Sequence, residues 1–164
     1  MKTVYLSLGS NMGDREQFLA QARRRLAEAG VEIRRASSIY ETEPMDLKDQ
    51  RAFLNQALEA QTELFPMQLL GRVQKIEIAL GRRRIVAKGP RTLDIDILLI
   101  GGVVIDSLRL QVPHPRMHER RFVLEPLVEL SPDLRHPITR RTMRDLLSDV
   151  LTQHVRKLTP ATSL

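Results

Sequence analysis

Gly89-Pro90-Arg91-Thr92-Leu93-Asp94-Ile95-Asp96-Ile97-Leu98-Leu99-Ile100 is the stretch on which the reading of this 164-residue chain turns. Gly-Pro starts it as a turn. The β-friendly residues that follow continue it as a strand. On a strand, residues two apart share a face, so Asp94 and Asp96 point the same way. Two neighbouring carboxylates beside an arginine read in two ways: as the polar face of a half-exposed strand, or as oxygen ligands for a hard divalent cation. The four apolar residues after Asp96 carry the strand into a core and leave the acids at its start, where a cleft can open.

Upstream, the pattern alternates between the two regular periods. Thr3 to Leu8 reads as a first strand, with Val4, Leu6 and Leu8 on one side and Thr3, Tyr5 and Ser7 on the other. Gly9 to Gly13 reads as a turn, and Asp14 as an N-cap with Gln17 three residues on. Phe18, Leu19, Ala22, Leu26 and Ala29 mark a helical face that Gly30 ends. Val31 to Glu41 reads as a second strand and Met45 to Arg51 as a polar loop. Phe53 to Leu64 follows as a third strand. Pro66 opens a helix that buries Leu69, Leu70, Val73, Ile76 and Leu80, and Gly81 ends it. Strand, helix, strand, strand, helix, strand is the split βαβ order, so the expected class is α+β with a ferredoxin-like βαββαβ core.

Downstream lie additions to that core. Val103 to Ile105 and Leu108 to Val112 are expected to form a hairpin that extends or covers the sheet edge. Pro113-His114-Pro115 predicts an extended turn. Arg116 to Leu130 predicts a short core-docking helix, and Thr142 to Leu158 a last amphipathic helix with Met143, Leu146, Leu147, Val150 and Leu151 as its stripe. The residues from 159 to 164 read as frayed. No linker or repeat divides the chain, so residues 1–164 are expected to form one domain.

Composition narrows the chemistry. The chain has no cysteine, which excludes disulfides and thiol catalysis. No run approaches the roughly 18 apolar residues of a membrane span, and the start has no secretory pattern. A cytoplasmic protein is the expectation. The net charge is +6, and 21 of the 26 basic residues are arginine. Such a surface suits nucleic acid, a nucleotide or an anionic substrate. With four Phe, two Tyr and no Trp, a base-stacking RNA platform has thin support.

Polar groups gather around the opening stretch: Glu77, Arg82, Arg84, Lys88 and Arg91 precede Asp94 and Asp96. A cation-holding pair among guanidinium groups is equipment for phosphoryl transfer. Asn55 carries a mixed donor and acceptor amide that can recognise a flat heterocycle. Phe53 and Phe122 can stack on such a ring or simply pack in the core. His114, between two prolines, reads as structural or as part of the site.

Ser7-Leu8-Gly9-Ser10-Asn11-Met12-Gly13-Asp14, Tyr40-Glu41-Thr42-Glu43-Pro44, Phe53-Leu54-Asn55, the Gly89 to Asp96 stretch, Pro113 to Met117 and Arg120 to Leu124, in this order, resemble the 6-hydroxymethyl-7,8-dihydropterin pyrophosphokinases. The resemblance implies transfer of the terminal diphosphate of ATP to the pterin hydroxymethyl group with release of AMP, in folate biosynthesis. It implies two Mg²⁺ ions on Asp94 and Asp96, with ATP as co-substrate, and Arg82 and Arg91 on the transferring group. Gln74, Glu77, Arg84, Ile97, Arg109, His114 and Arg120 would line the nucleotide site. Thr42, Pro44 and Met45, with the Asn55 side chain, would read the pterin edge between Phe53 and Phe122. The loops at 44–52 and 82–91 would close over the substrates. A monomer that binds neither nucleic acid nor membrane is expected. Lys88 and Pro115 stand where some relatives carry aromatics.

Overall fold

A computed structural model of the chain describes residues 1–43, 51–81 and 92–158. Among them a six-stranded antiparallel sheet is built from β1 (Lys2–Ser10), β2 (Val31–Ala36), β3 (Tyr40–Thr42), β4 (Phe53–Thr62), β5 (Asp94–Ile100) and β8 (Arg156–Lys157). The order is β5-β1-β4-β3-β8, with β2 pairing β4 beside β3. Four helices complete the fold: α1 (Arg15–Glu28), α2 (Pro66–Ala79), α3 (Arg121–Leu130) and α4 (Met143–Ser148). Among the described residues, no helix is long and apolar enough to cross a membrane.

Both faces of the sheet are covered. Even-numbered residues of β1 (Val4, Leu6, Leu8) meet Leu19, Ala22 and Leu26 of α1 and Leu69, Val73 and Ile76 of α2. The helices form where the 3.6-residue stripe predicts, and Asp14 caps α1 by accepting from the Gln17 N–H at 3.2 Å. On the opposite face Tyr5, Ala57 and Leu99 pack against Val123, Leu124 and Leu127 of α3 and against Met143 and Leu146 of α4. Tyr5 is thus buried under a helix rather than lying on a polar side. Its hydroxyl donates to Glu59 at 2.7 Å, and Arg35 donates to the same carboxylate at 2.8 Å. The Arg35 guanidinium holds the Glu59 carboxyl below its usual range, while burial raises the Tyr5 phenol.

Several boundaries differ from the sequence pattern, each for a local reason. Gly9 and Ser10 belong to β1, paired with Asn55 and Leu54, rather than to a turn. The second strand breaks at 37–39. There the Ser37 hydroxyl accepts the Ala57 N–H at 2.9 Å, standing in for a backbone partner in the ladder. The third strand ends at Thr62, whose hydroxyl accepts from Leu64 N–H. The hairpin of β6 (Ile105–Asp106) and β7 (Gln111–Val112) forms a separate two-stranded sheet, so of the two expected outcomes it covers the edge at β5 and does not extend the large sheet. The segment from Arg116 splits into a 3₁₀ turn (Met117–Glu119) and α3. The last helix stops at Ser148, leaving Leu151 exposed, and the tail returns as β8 to pair Arg156 and Lys157 with Glu41 and Tyr40. The residues from 159 onward, read above as frayed, lie outside the described ones.

Candidate active site

The acids stand where β5 begins, at one end of the α3-facing side of the sheet. Register fixes their neighbours. Gly9 lies opposite Asp94 on one side and Asn55 on the other; Ser7 lies likewise between Asp96 and Ala57. Directly paired residues project to the same face, so Asn55, Gly9 and Asp94 form one row across three strands. Neighbouring strands are about 4.8 Å apart, which puts the Asn55 and Asp94 backbones about 10 Å apart. Gly9 keeps the middle of that row low. A Cβ there would sit 3.4 Å from Asn55 Oδ1 and 3.7 Å from Phe53 Cδ1. This role is one that reading Gly9 as a turn residue misses.

Asn55 is buried and donates from Nδ2 to Thr42 Oγ1 at 2.9 Å. That bond orients the amide, so its oxygen faces the row. Thr42 pairs with Phe53, and Tyr40 pairs with Asn55, through the β3–β4 ladder. Tyr40 is itself tied to α3, donating to Glu129 at 2.6 Å. Three more residues, given no role of their own by the sequence pattern, tie this corner together. Asn11 Nδ2 donates to the Arg51 carbonyl, Arg15 to the Ala52 carbonyl at 2.8 Å, and Arg51 to the Gly13 carbonyl at 2.9 Å. Their partners are backbone oxygens far along the chain, which no local pattern announces.

On the other flank of the acids lies a cleft of about 630 Å³ lined by Leu70, Ile95, Asp96, Ile97, Asp106, Leu108, Arg109, Leu110, Gln111, His114 and Pro115. The β6–β7 hairpin forms its outer wall. Apolar Leu70, Ile97 and Leu110 offer packing for a flat base, and exposed Arg109 offers a guanidinium for an anion. His114 is anchored twice: its N–H donates to the Leu98 carbonyl at 3.0 Å, and its Nδ1 accepts from Arg116 N–H at 3.2 Å. Burial, with Arg120 and Arg116 nearby, pushes its pKa down to about 4. The ring is therefore neutral at pH 7, with its proton on Nε2, free of the Nδ1 acceptor. Arg120 also lies over the Phe122 ring, 5.6 Å from its centroid.

The structure thus brings Asp96, Ile97, Arg109 and His114 to one cleft, and Thr42, Phe53, Asn55 and Asp94 to the adjoining sheet face. Gln74 is exposed on α2 and is not among the residues lining that cleft. Glu77 is buried, 5% exposed, and accepts the Ile95 N–H at 2.8 Å. Pro44, Met45, Arg82, Arg84, Arg91, the loops at 44–50 and 82–91, and Lys88 within the second loop lie outside the described residues.

Among the described residues, no group of three His, Cys, Asp or Glu side chains could hold a metal ion. Asp94 and Asp96 fit a cation of another kind. Magnesium is commonly bound by one or two carboxylates, with water and substrate phosphate oxygens completing its shell. Half-buried oxygen donors beside a nucleotide-sized cleft are that donor set.

Asp96 in a cleft with Arg109 and a neutral His114, beside Asp94 on an antiparallel sheet with helices on both faces, is an arrangement suited to phosphoryl transfer in a mixed α/β fold. The family model of 7,8-dihydro-6-hydroxymethylpterin-pyrophosphokinase (HPPK) matches residues 5–132, and the chain belongs to that family. It is 52% identical over 128 residues to the 2-amino-4-hydroxy-6-hydroxymethyldihydropteridine pyrophosphokinase of Bacillus subtilis, covering 77% of each chain. It is 41% identical over 159 residues to the folic acid synthesis protein fol1 of Pneumocystis carinii, covering 97% of this chain but only 22% of that longer relative. The crystal structure of HPPK-DHPS from Plasmodium falciparum shares the fold, with a TM-score of 0.69 at 16% identity, over 91% of this chain and 43% of that one.

Proposed function

We propose that this chain transfers the diphosphate of ATP to the hydroxymethyl group of 6-hydroxymethyl-7,8-dihydropterin, releasing AMP, as a step of folate biosynthesis. One observation carries the reading: the acid pair lies between the hairpin-walled cleft and the Asn55–Gly9 row. Asp96 lines the cleft suited to a nucleotide, and Asp94 shares a sheet row with Gly9 and the oriented Asn55 amide. A donor and an acceptor placed on those two regions meet at the acids.

In this reading the base lies against Leu70, Ile97 and Leu110, with Arg109, His114 and Arg120 directed to the phosphates. Arg84 and Gln74 complete the nucleotide contacts. The pterin lies over Gly9 between Phe53 and Phe122, its edge read by Asn55 and by the chain from Thr42 through Pro44 to Met45. Its hydroxyl oxygen attacks the β-phosphorus, and the bond from that phosphorus to the α–β bridging oxygen breaks. AMP departs with the bridging oxygen, and the hydroxyl proton is lost. Asp94 and Asp96 would hold two magnesium ions, which when bound neutralise charge on the phosphate oxygens. Arg82 and Arg91 add guanidinium charge as negative charge shifts to the leaving group. The fold reading that accompanies this is a ferredoxin-like βαββαβ core, supported by the antiparallel order β5-β1-β4 with β2 and β3 beyond. A cytoplasmic, monomeric, single-domain enzyme is part of the same proposal.

Product analysis tests it. Incubation with ATP, Mg²⁺ and the hydroxymethyl dihydropterin should release AMP in step with pterin consumption. Release of ADP would overturn diphosphate transfer.

A further inference from the structure

Glu77 occupies an unfavourable place for a carboxylate. It is 5% exposed, and it lies in the last turn of α2, where the helix dipole presents its negative end. Its Oε2 accepts the N–H of Ile95 at 2.8 Å, and Ile95 is the residue between Asp94 and Asp96. A third acid thus stands behind the acid pair, joined to it through the Ile95 backbone.

The strand explains why something is needed there. Among the described residues β5 is the end strand of the large sheet, bonded to β1 alone. An edge strand turns alternate backbone groups away from its neighbour. Two such groups on β5 are met by partners outside the sheet. Glu77 takes the Ile95 N–H, and further along the strand the His114 N–H meets the Leu98 carbonyl at 3.0 Å. The Ile95 side chain is buried, 4% exposed, in the cluster under α1 and α2. A residue fixed at both its amide and its side chain cannot twist, and the carboxylates on either side of it share that fixed direction.

We propose that Glu77 is a positioning residue: it acts through the Ile95 amide to hold Asp94 and Asp96 in register for the phosphate-bound cation, rather than contacting the nucleotide. The inference rests on the reading of that pair as the cation-holding acids. It needs an acceptor oxygen at the reach of a glutamate and does not need the negative charge.

Glu77→Gln and Glu77→Asp separate those requirements. The glutamine keeps an oxygen at the same reach; the aspartate keeps the charge but falls one methylene short. In E77D kcat should fall about tenfold to a hundredfold, with more Mg²⁺ needed for half-maximal rate, as for groups that orient metal ligands. The KM for ATP should stay within about threefold, since no nucleotide contact is removed. E77Q should retain kcat within about fivefold of the parent. Hydrogen exchange of the Ile95 amide in the protein without substrates should be about tenfold or more faster in E77D, because the shorter side chain no longer reaches the amide. In E77Q it should remain near the parent value.

A large kcat loss or a raised ATP KM in E77Q, with E77D active, would assign Glu77 to the nucleotide and overturn the proposal. So would an Ile95 amide equally protected in E77D and the parent. If the parent protein releases no AMP, the pyrophosphokinase reading fails, and the exchange comparison still decides whether Glu77 anchors the strand.

Discussion

The two faces of the sheet are used differently. The face under α1 and α2 is apolar along the middle of β1: Val4, Leu6 and Leu8 are each fully buried in one cluster. The face under α3 and α4 changes character midway. Tyr5, Ala57 and Leu99 belong to its hydrophobic cluster, whereas the next residues on the same side of the strands are Ser7, Gly9, Asn55, Asp96 and Asp94. One face is closed by an apolar cluster; the other, apolar over only part of its length, carries the proposed site at its end. Stability and activity should therefore separate by face.

The largest effects test that separation directly. Asp96→Ala should lower kcat by about a thousandfold or more, because in the proposed reaction Asp96 helps hold the cation that stabilises the transferring group. Its stability should shift by no more than about 1 kcal/mol, since the site is half-buried and polar. Leu6→Ala, on β1 but facing the cluster under α1 and α2, should do the reverse. Leu6 is fully buried, so the truncation should cost about 2–5 kcal/mol, with kcat of the folded enzyme nearly preserved. Melting curves and initial rates on the two variants suffice. A Leu6→Ala protein that melts like the parent, or an Asp96→Ala protein that turns over like it, would dissolve the distinction.

A middle-sized effect belongs to the junction of the hairpin with β5. His114 has a pKa of about 4, against an ordinary 6.5. The unfolded chain takes up the proton first, so the contribution of this group is complete above about pH 6.5. It is lost as pH falls through 4. Two and a half units correspond to at most about 3–4 kcal/mol. Denaturant midpoints of the parent should drop across that window, and those of His114→Asn should drop less. Equal slopes in the two proteins would remove His114 as the source.

How far the sequence carries the reader also divides by face. The helical stripes of α1 and α2 were legible because a residue and its core partners repeat every turn. The acid pair was legible because spacing alone sets its common face. What escaped depends on partners distant in the chain. Nothing around Ser37 tells that its hydroxyl will take the Ala57 N–H and break a strand. Nothing around Arg156 tells that it will pair with Glu41, 115 residues earlier, and turn an expected helix into β8. Nothing around Glu77 tells that its carboxylate will take the Ile95 N–H, 18 residues on. The pterin came from the family resemblance: Asn55 and Phe53 suggest a flat polar ring, but a donor and acceptor edge does not name one heterocycle.

The smallest effect compares two glycines. Gly71 lies within α2, and a Cβ built there meets nothing within 4 Å. Alanine in its place removes unfolded-chain freedom without creating a clash, which is worth about 1 kcal/mol and about 2–4 °C in Tm for a domain of this size. Activity should not change. Gly9→Ala adds the same methyl to β1, 3.4 Å from the Asn55 amide oxygen and 3.7 Å from the Phe53 ring. There the methyl occupies the row that the pterin is proposed to cover, so the KM for pterin should rise while the melting temperature moves little. If both variants simply become more stable with unchanged KM, the low middle of the Asn55–Gly9–Asp94 row is not where the substrate lies. If Gly9→Ala alone loses pterin affinity, the absence of a side chain at Gly9 is part of the site.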